Sequence, residues 1–219
     1  MTVKTALEAA DVMALRELLA EDPRLANELV AWGKHNEICT HPLHYVSDLL
    51  FENRLDKTRE VELAIPLIDE LLAAGADVNF RATDPPSDTP LIGAASLGSQ
   101  DVGIRLIEAG ANVSHRNWLA QETALHWAAE LGLDRLAGRI LETEGADVTL
   151  HLEDTKWKAT PLGWAIHGWS NAQPGGLNHH RDVVIALVRA GSEVKPEWLE
   201  AEMIRTDPAK LAALRGAPA

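Results

Sequence analysis

The sequence predicts an all-α fold, a solenoid of stacked helix-turn-helix repeats that each carry a turn-based finger. Two recurrences support this. Thr89-Pro90-Leu91, Thr123-Ala124-Leu125 and Thr160-Pro161-Leu162 follow one another at 34 and 37 residues. Gly75-Ala76-Asp77-Val78-Asn79, Gly110-Ala111-Asn112-Val113 and Gly145-Ala146-Asp147-Val148 recur every 35 residues, with a weaker copy at Gly191-Ser192-Glu193-Val194. A period of this length marks repeats that each bury their apolar face against the next.

Glu122 to Thr149 reads as one complete unit. Thr123 opens a short helix over Ala124 to Leu131, Gly132 breaks it, and a second helix runs from about Asp134 to Glu142. Gly145 stops that helix with a left-handed backbone, and Ala146-Asp147-Val148 forms a turn leading into an extended finger. These residues resemble the ankyrin family, whose pattern is a turn, T-P-L-H, A-A, a glycine, a second helix and G-A-D-V-N. The resemblance covers roughly residues 6 to 194 and implies about five to six repeats including caps, in a single domain over 1–219.

Taken in order, residues 6–29 form a degenerate N-terminal capping repeat with Leu7, Leu15, Leu18 and Leu19 at helical spacing, closed by Asp22-Pro23. Residues 28 to 39 are an irregular connector containing Trp32 and His35. Repeat 2 (40–80) carries an extra residue, His41, and about 14 additional residues around Phe51 to Glu60. Its second helix spans Arg59 to Ala74, and Pro66 implies a kink or a late start. Repeat 3 (88–115) follows a finger rich in turn formers, and repeat 4 is 122–150. Repeat 5 (159–194) holds about 10 extra residues in a loop at Trp169 to His180. Residues 195–219 read as a C-terminal cap of a helix plus a short one, with a frayed end.

The formal net charge is −13, which argues against nucleic-acid and anionic-membrane partners, since both need a basic face. The single cysteine, Cys39, excludes an internal disulfide and is expected to be a small buried apolar residue. The N-terminus does not read as a signal peptide, and no apolar run is long enough to span a membrane. A cytoplasmic monomer is expected. His35, Cys39, His41 and His44, and the adjacent His179 and His180, lack tight ligand spacing, so neither a metal nor a cofactor is expected. Seven tryptophans stand against one tyrosine and two phenylalanines, an excess that suits a binding surface.

The family resemblance implies a concave groove lined by first helices and fingers. Its lining is then Tyr45, Asp48 and Leu49; Gly93, Ser96 and Leu97; Trp127, Glu130 and Leu131; and Trp164, His167 and Gly168, with finger tips Asp84, Asp88, Trp118, Gln121, Lys156 and Trp157. Tyr45, Trp127 and Trp164 fall on one line, with small Gly93 and Ser96 making a hollow and the two insertions as end walls. Trp169 adjoins it in the repeat 5 insertion. His44 and His126 occupy the family histidine, which bonds neighbouring finger backbone; Ile92 and Gly163 depart from that pattern. Two readings follow. One is an interaction module that anchors a protein partner on Trp118, Trp127, Trp157 and Trp164. The other is a small-molecule site, or a cofactor-independent lyase, isomerase or hydrolase, in which His167, Glu130 and Asp48 transfer protons.

Overall fold

Short polar caps and apolar stripes build the helices. The structure, a computed structural model, describes residues 1–83, 86–172 and 179–216. Asp84 and the insertion's centre, 173–178, lie outside the described residues, as does the expected frayed end at 217–219. The described residues form fourteen α-helices and one two-stranded sheet. None of the helices is long and apolar enough to cross a membrane. The chain divides into two compact units, Met1–Asn112 and Val113–Ala219.

In the first unit, Thr2 caps α1 (Val3–Glu8) and Asp11 caps α2 (Val12–Glu21), each accepting a backbone N–H that would otherwise lack a partner. The connector is not irregular. Val30–Trp32 (β1) and Ile38–Thr40 (β2) pair antiparallel, with Trp32 opposite Ile38, across a turn where Gly33 and Asn36 adopt positive φ. Cys39 lies on this hairpin and is exposed, contrary to the burial expected of it. A three-residue strand offers only one face to the core, and Cys39 falls on the other side from buried Thr40.

His41, the extra residue, is the cap of α3 (Pro42–Phe51): its Nδ1 accepts from Leu43 N–H. Its Nε2 bonds Asn27 Oδ1 at 3.1 Å and its ring stacks on Phe80. α4 runs over Glu60–Ala73 with Pro66 inside it, so the helix does not start late. The repeat 2 insertion is a set of fasteners. Arg54 reaches Glu8 at 2.7 Å, Lys57 caps the Leu97 carbonyl at 3.1 Å, and Glu60 accepts from Val102 N–H at 2.8 Å. α5 (Pro90–Ser96) and α6 (Gln100–Glu108) complete the unit, with Thr89 capping α5. α1, α3 and α5 pack in one row, and α2, α4 and α6 in another.

In the second unit, α7 (Ala124–Glu130) and α8 (Asp134–Leu141) match the expected pair, with Gly132 at φ +66 between them. Gly145 is left-handed as expected, but it starts a helix. α9 (Ala146–Leu150) replaces the expected turn into an extended finger. α10 (Pro161–Asn171) extends into the insertion through Trp169, so the loop begins later than expected. α11 (His180–Arg189) packs on α8 and α10. α12 (Pro196–Glu200), α13 (Glu202–Arg205) and α14 (Pro208–Leu214) follow, and α14 covers α11.

Candidate functional site

Two fingers of the second unit are built alike. Asn117 Oδ1 accepts from Ala120 and Glu122 N–H, and Asn117 N–H donates to Glu122 O at 2.7 Å. Asp154, 37 residues later, accepts from Lys156, Trp157 and Ala159 N–H and donates its own N–H to Ala159 O. Each loop closes through a left-handed residue, Gln121 at φ +62 and Lys158 at φ +54. The fingers are joined: Thr155 N–H donates to Ala120 O at 2.8 Å, and Arg116 donates to Glu153 O at 2.8 Å. Their tips leave Trp118, Leu119 and Trp157 at 48%, 71% and 65% exposure. Three large apolar side chains are thus solvent-exposed on adjoining loops.

Asp154 also holds the floor beside the second finger. Its Oδ2 accepts the Trp164 indole N–H at 3.0 Å. Burial would raise the Asp154 pKa, but the bonds from Trp157, Trp164, Ala159 and Lys156 outweigh it and hold the carboxyl below its ordinary value. Trp164 is thereby fixed at 8% exposure, edge-on to Trp127 at 5.2 Å. Beside it lies a cavity of about 290 Å³ lined by Glu130, Trp157, Ala159, Gly163, Trp164 and His167.

His126 accepts from Thr123 N–H through Nδ1, so its Nε2 carries the proton and donates to Ala159 O at 3.3 Å. Burial lowers its pKa to about 4, and the neutral ring fills the space beneath the finger. This is the finger bond the resemblance implies. One repeat on, Gly163 occupies the histidine position. A Cβ built there would meet only Ala159 Cβ at 3.3 Å, the Trp198 ring at 3.9 Å and Thr160 Oγ1 at 4.0 Å. The ring of the motif is absent there, and Gly163 lines the cavity together with the finger residues Trp157 and Ala159.

At the rim, His167 Nδ1 sits astride the Glu130 carboxylate, 2.9 Å from one oxygen and 3.1 Å from the other. His167 is exposed. Trp127 is half-buried behind this rim, and its indole N–H has no hydrogen-bond partner among the described residues. Trp169, half-buried on α10, lies under the Lys210 ammonium, 5.8 Å from its ring centre. Gly168 lets α10 touch α7: a Cβ there would overlap the Glu130 carbonyl oxygen, which accepts from His180 Nε2 at 2.8 Å. Asp134, His179 and Asp182 each place a ligand atom within 4.8 Å of one another at the starts of α8 and α11. Carboxylates suit those positive helix ends, and the same field disfavours a cation.

The first-unit residues of the expected lining are elsewhere engaged. Tyr45 does not line a groove: it is fully buried beneath Trp32, donates to Glu8 at 2.8 Å and accepts from Arg54 at 3.0 Å. The hairpin, which stands where an irregular connector is expected, and the insertion close over it. Gly93 makes no hollow, because the His44 ring lies where its Cβ would be. Ser96 turns its hydroxyl back to Gly93 O at 3.1 Å. Asp48 is buried, with Oδ1 3.9 Å from His44 and Oδ2 unpartnered among the described residues. Burial and the nearby Glu52 raise its pKa to about 7, while burial lowers His44 to about 4.

Sequence reasoning missed Gly163 and Ala159 as cavity formers and Asp154 as the organiser. Signals existed for each. A glycine at a ring position vacates volume, and Asn117 and Asp154 both stand six residues before a capping threonine.

Residues 61–151 match the family model described as ankyrin repeats, in three copies. No protein in the curated set matches the chain.

Proposed function

We propose, from the premise that this chain is an ankyrin-repeat protein, that its second unit captures a protein partner on the paired fingers and the cavity beside them. Ankyrin repeats are generally protein–protein interaction modules. The stretches 40–80 and 159–194 are, in this reading, further repeats with insertions. The observation that supports the surface is Trp118, Leu119 and Trp157 exposed on two fingers held rigid by Asn117 and Asp154. Rigid aromatic anchors lose little entropy on binding and dominate interface energy. Glu130 and the overall charge of −13 favour a partner with basic residues. The chain is taken to work as a cytoplasmic monomer; the free, exposed thiol of Cys39 suits a reducing compartment.

The test is affinity capture with the parent chain and a Trp118→Ala/Trp157→Ala double variant of unchanged melting temperature. A partner held by the parent and lost by the variant is expected. An identical set of captured proteins on both contradicts the surface.

A second reading is supported by the Glu130–His167 pair at the cavity rim, two groups within hydrogen-bond reach of one point. There, a small molecule enclosed by Trp157 and Trp164 would exchange a proton with the pair without a cofactor. Asp48, in the first unit, contributes nothing to this version. A metabolite thermal-shift screen separates the readings, since a ligand at 100 times its dissociation constant stabilises by about 2.7 kcal/mol. A hit abolished by His167→Ala and by Trp127→Ala favours the small molecule, and no hit removes it.

A further inference from the structure

Resting on the protein-binding reading, we infer that the cavity is the socket for one arginine side chain of the partner. Four observations lead there. At about 290 Å³ it lies at the low end of ligand pockets, which run from about 300 Å³ upward, and suits a single side chain. Its walls are two tryptophans, Trp157 and Trp164, with small Ala159 and Gly163 between. Its one carboxylate among the described residues, Glu130, stands at the rim with both oxygens directed at one nitrogen of His167. Finally, three tryptophans of this unit each carry a lysine ammonium over the ring. Lys156 lies over Trp157 at 4.8 Å, Lys195 over Trp198 at 5.6 Å and Lys210 over Trp169 at 5.8 Å.

Arginine fits this set better than lysine. A guanidinium is planar, stacks on indole, and offers two parallel N–H donors to one carboxylate. His167 Nδ1, 2.9 and 3.1 Å from the two Glu130 oxygens, marks where those donors go. His167 and Lys156 are both exposed and compete with the incoming group, for Glu130 and for Trp157 respectively. Lysine keeps a compact, strongly hydrated charge and gains less from the tryptophan walls. A neutral side chain leaves Glu130 unanswered.

The experiment titrates the full chain with N-acetyl-arginine amide, N-acetyl-lysine amide and N-acetyl-citrulline amide, the last a neutral isostere of arginine. The readout is the nitrogen–proton resonances of the Trp157 and Trp164 indoles. The arginine amide is expected to shift both, at least tenfold more tightly than citrulline, and less so as salt rises. Glu130→Gln lowers arginine affinity about tenfold and leaves citrulline unchanged. His167→Ala, which uncovers Glu130, raises arginine affinity several-fold, a gain that a damaged fold does not give. Citrulline or lysine binding as well as arginine overturns the assignment, as does the absence of any shift at these two indoles. None of those outcomes touches capture through Trp118 and Leu119, which are not among the socket's lining residues and which Trp118→Ala alone tests separately.

Discussion

His44 and His126 hold the same motif position, one in each unit, and their surroundings differ. His44 lies against Gly93 of the next repeat, so ring and glycine fill one another's space and that face closes. His126 meets Trp164 at the corresponding place, edge-on at 5.6 Å, and donates its Nε2–H to the Ala159 carbonyl. The next ring in that series is absent, because position 163 is glycine. The same motif position thus meets a filled face in one unit and lies one repeat before a cavity-lining glycine in the other.

Glycine-to-alanine changes sharpen this contrast. Gly168→Ala drives a methyl into the Glu130 carbonyl, which is backbone and cannot swing away. It is expected to cost about 3 kcal/mol or more, or to prevent folding, read by chemical denaturation. Gly163→Ala, five residues away on the same helix, meets Ala159 Cβ at 3.3 Å and is expected to change stability by less than ~1 kcal/mol. Equal losses at the two sites would mean that no hollow exists at Gly163.

The buried Asp48 separates the units by pH. Its pKa is raised from 3.8 to about 7, so the native state keeps a proton that the unfolded chain releases. Stability from this group is present at low pH and declines between about pH 4 and 7, by roughly 4 kcal/mol in all. His41, His44 and His126, lowered from 6.5 to about 4, act oppositely: their stability is present above 6.5 and lost as pH falls toward 4. Asp48→Asn should therefore gain on the parent steadily from pH 4 to 7, measured as urea midpoints. A pH-independent difference contradicts the buried, proton-holding Asp48.

Asp154→Ala removes the acceptor of three finger N–H groups and the Trp164 indole. A loss of about 2 kcal/mol is expected, with red-shifted tryptophan emission as Trp164 becomes wet. An unchanged emission would mean that Trp164 is held by packing alone. Trp157→Ala is the smallest in stability, within ~0.5 kcal/mol, because the side chain is already in water.

The helical repeat was legible because capping threonines and left-handed glycines leave local, periodic marks: Thr89, Thr160, Gly132 and Gly145 all stand where expected. The fate of individual lining residues was less legible. Tyr45 was assigned to a groove because helix phase alone ignores what a neighbouring hairpin covers, and the Trp32–Tyr45 contact is long-range in origin. Glu130 and His167 were brought together as the helix phase of two successive repeats implies. Gly163 departs from the motif pattern and also lines the cavity. Its consequence appears only once the finger above it, organised by Asp154, is in place.

The most direct measurement restores the missing ring. Gly163→His puts an imidazole into the socket at a helical position where glycine itself costs about 0.5–1 kcal/mol. The variant is expected to melt at or above the parent's temperature and to lose the partner and the arginine amide together. A variant that is as stable as the parent and still binds both would contradict the claim that the hollow left by Gly163 is the binding site.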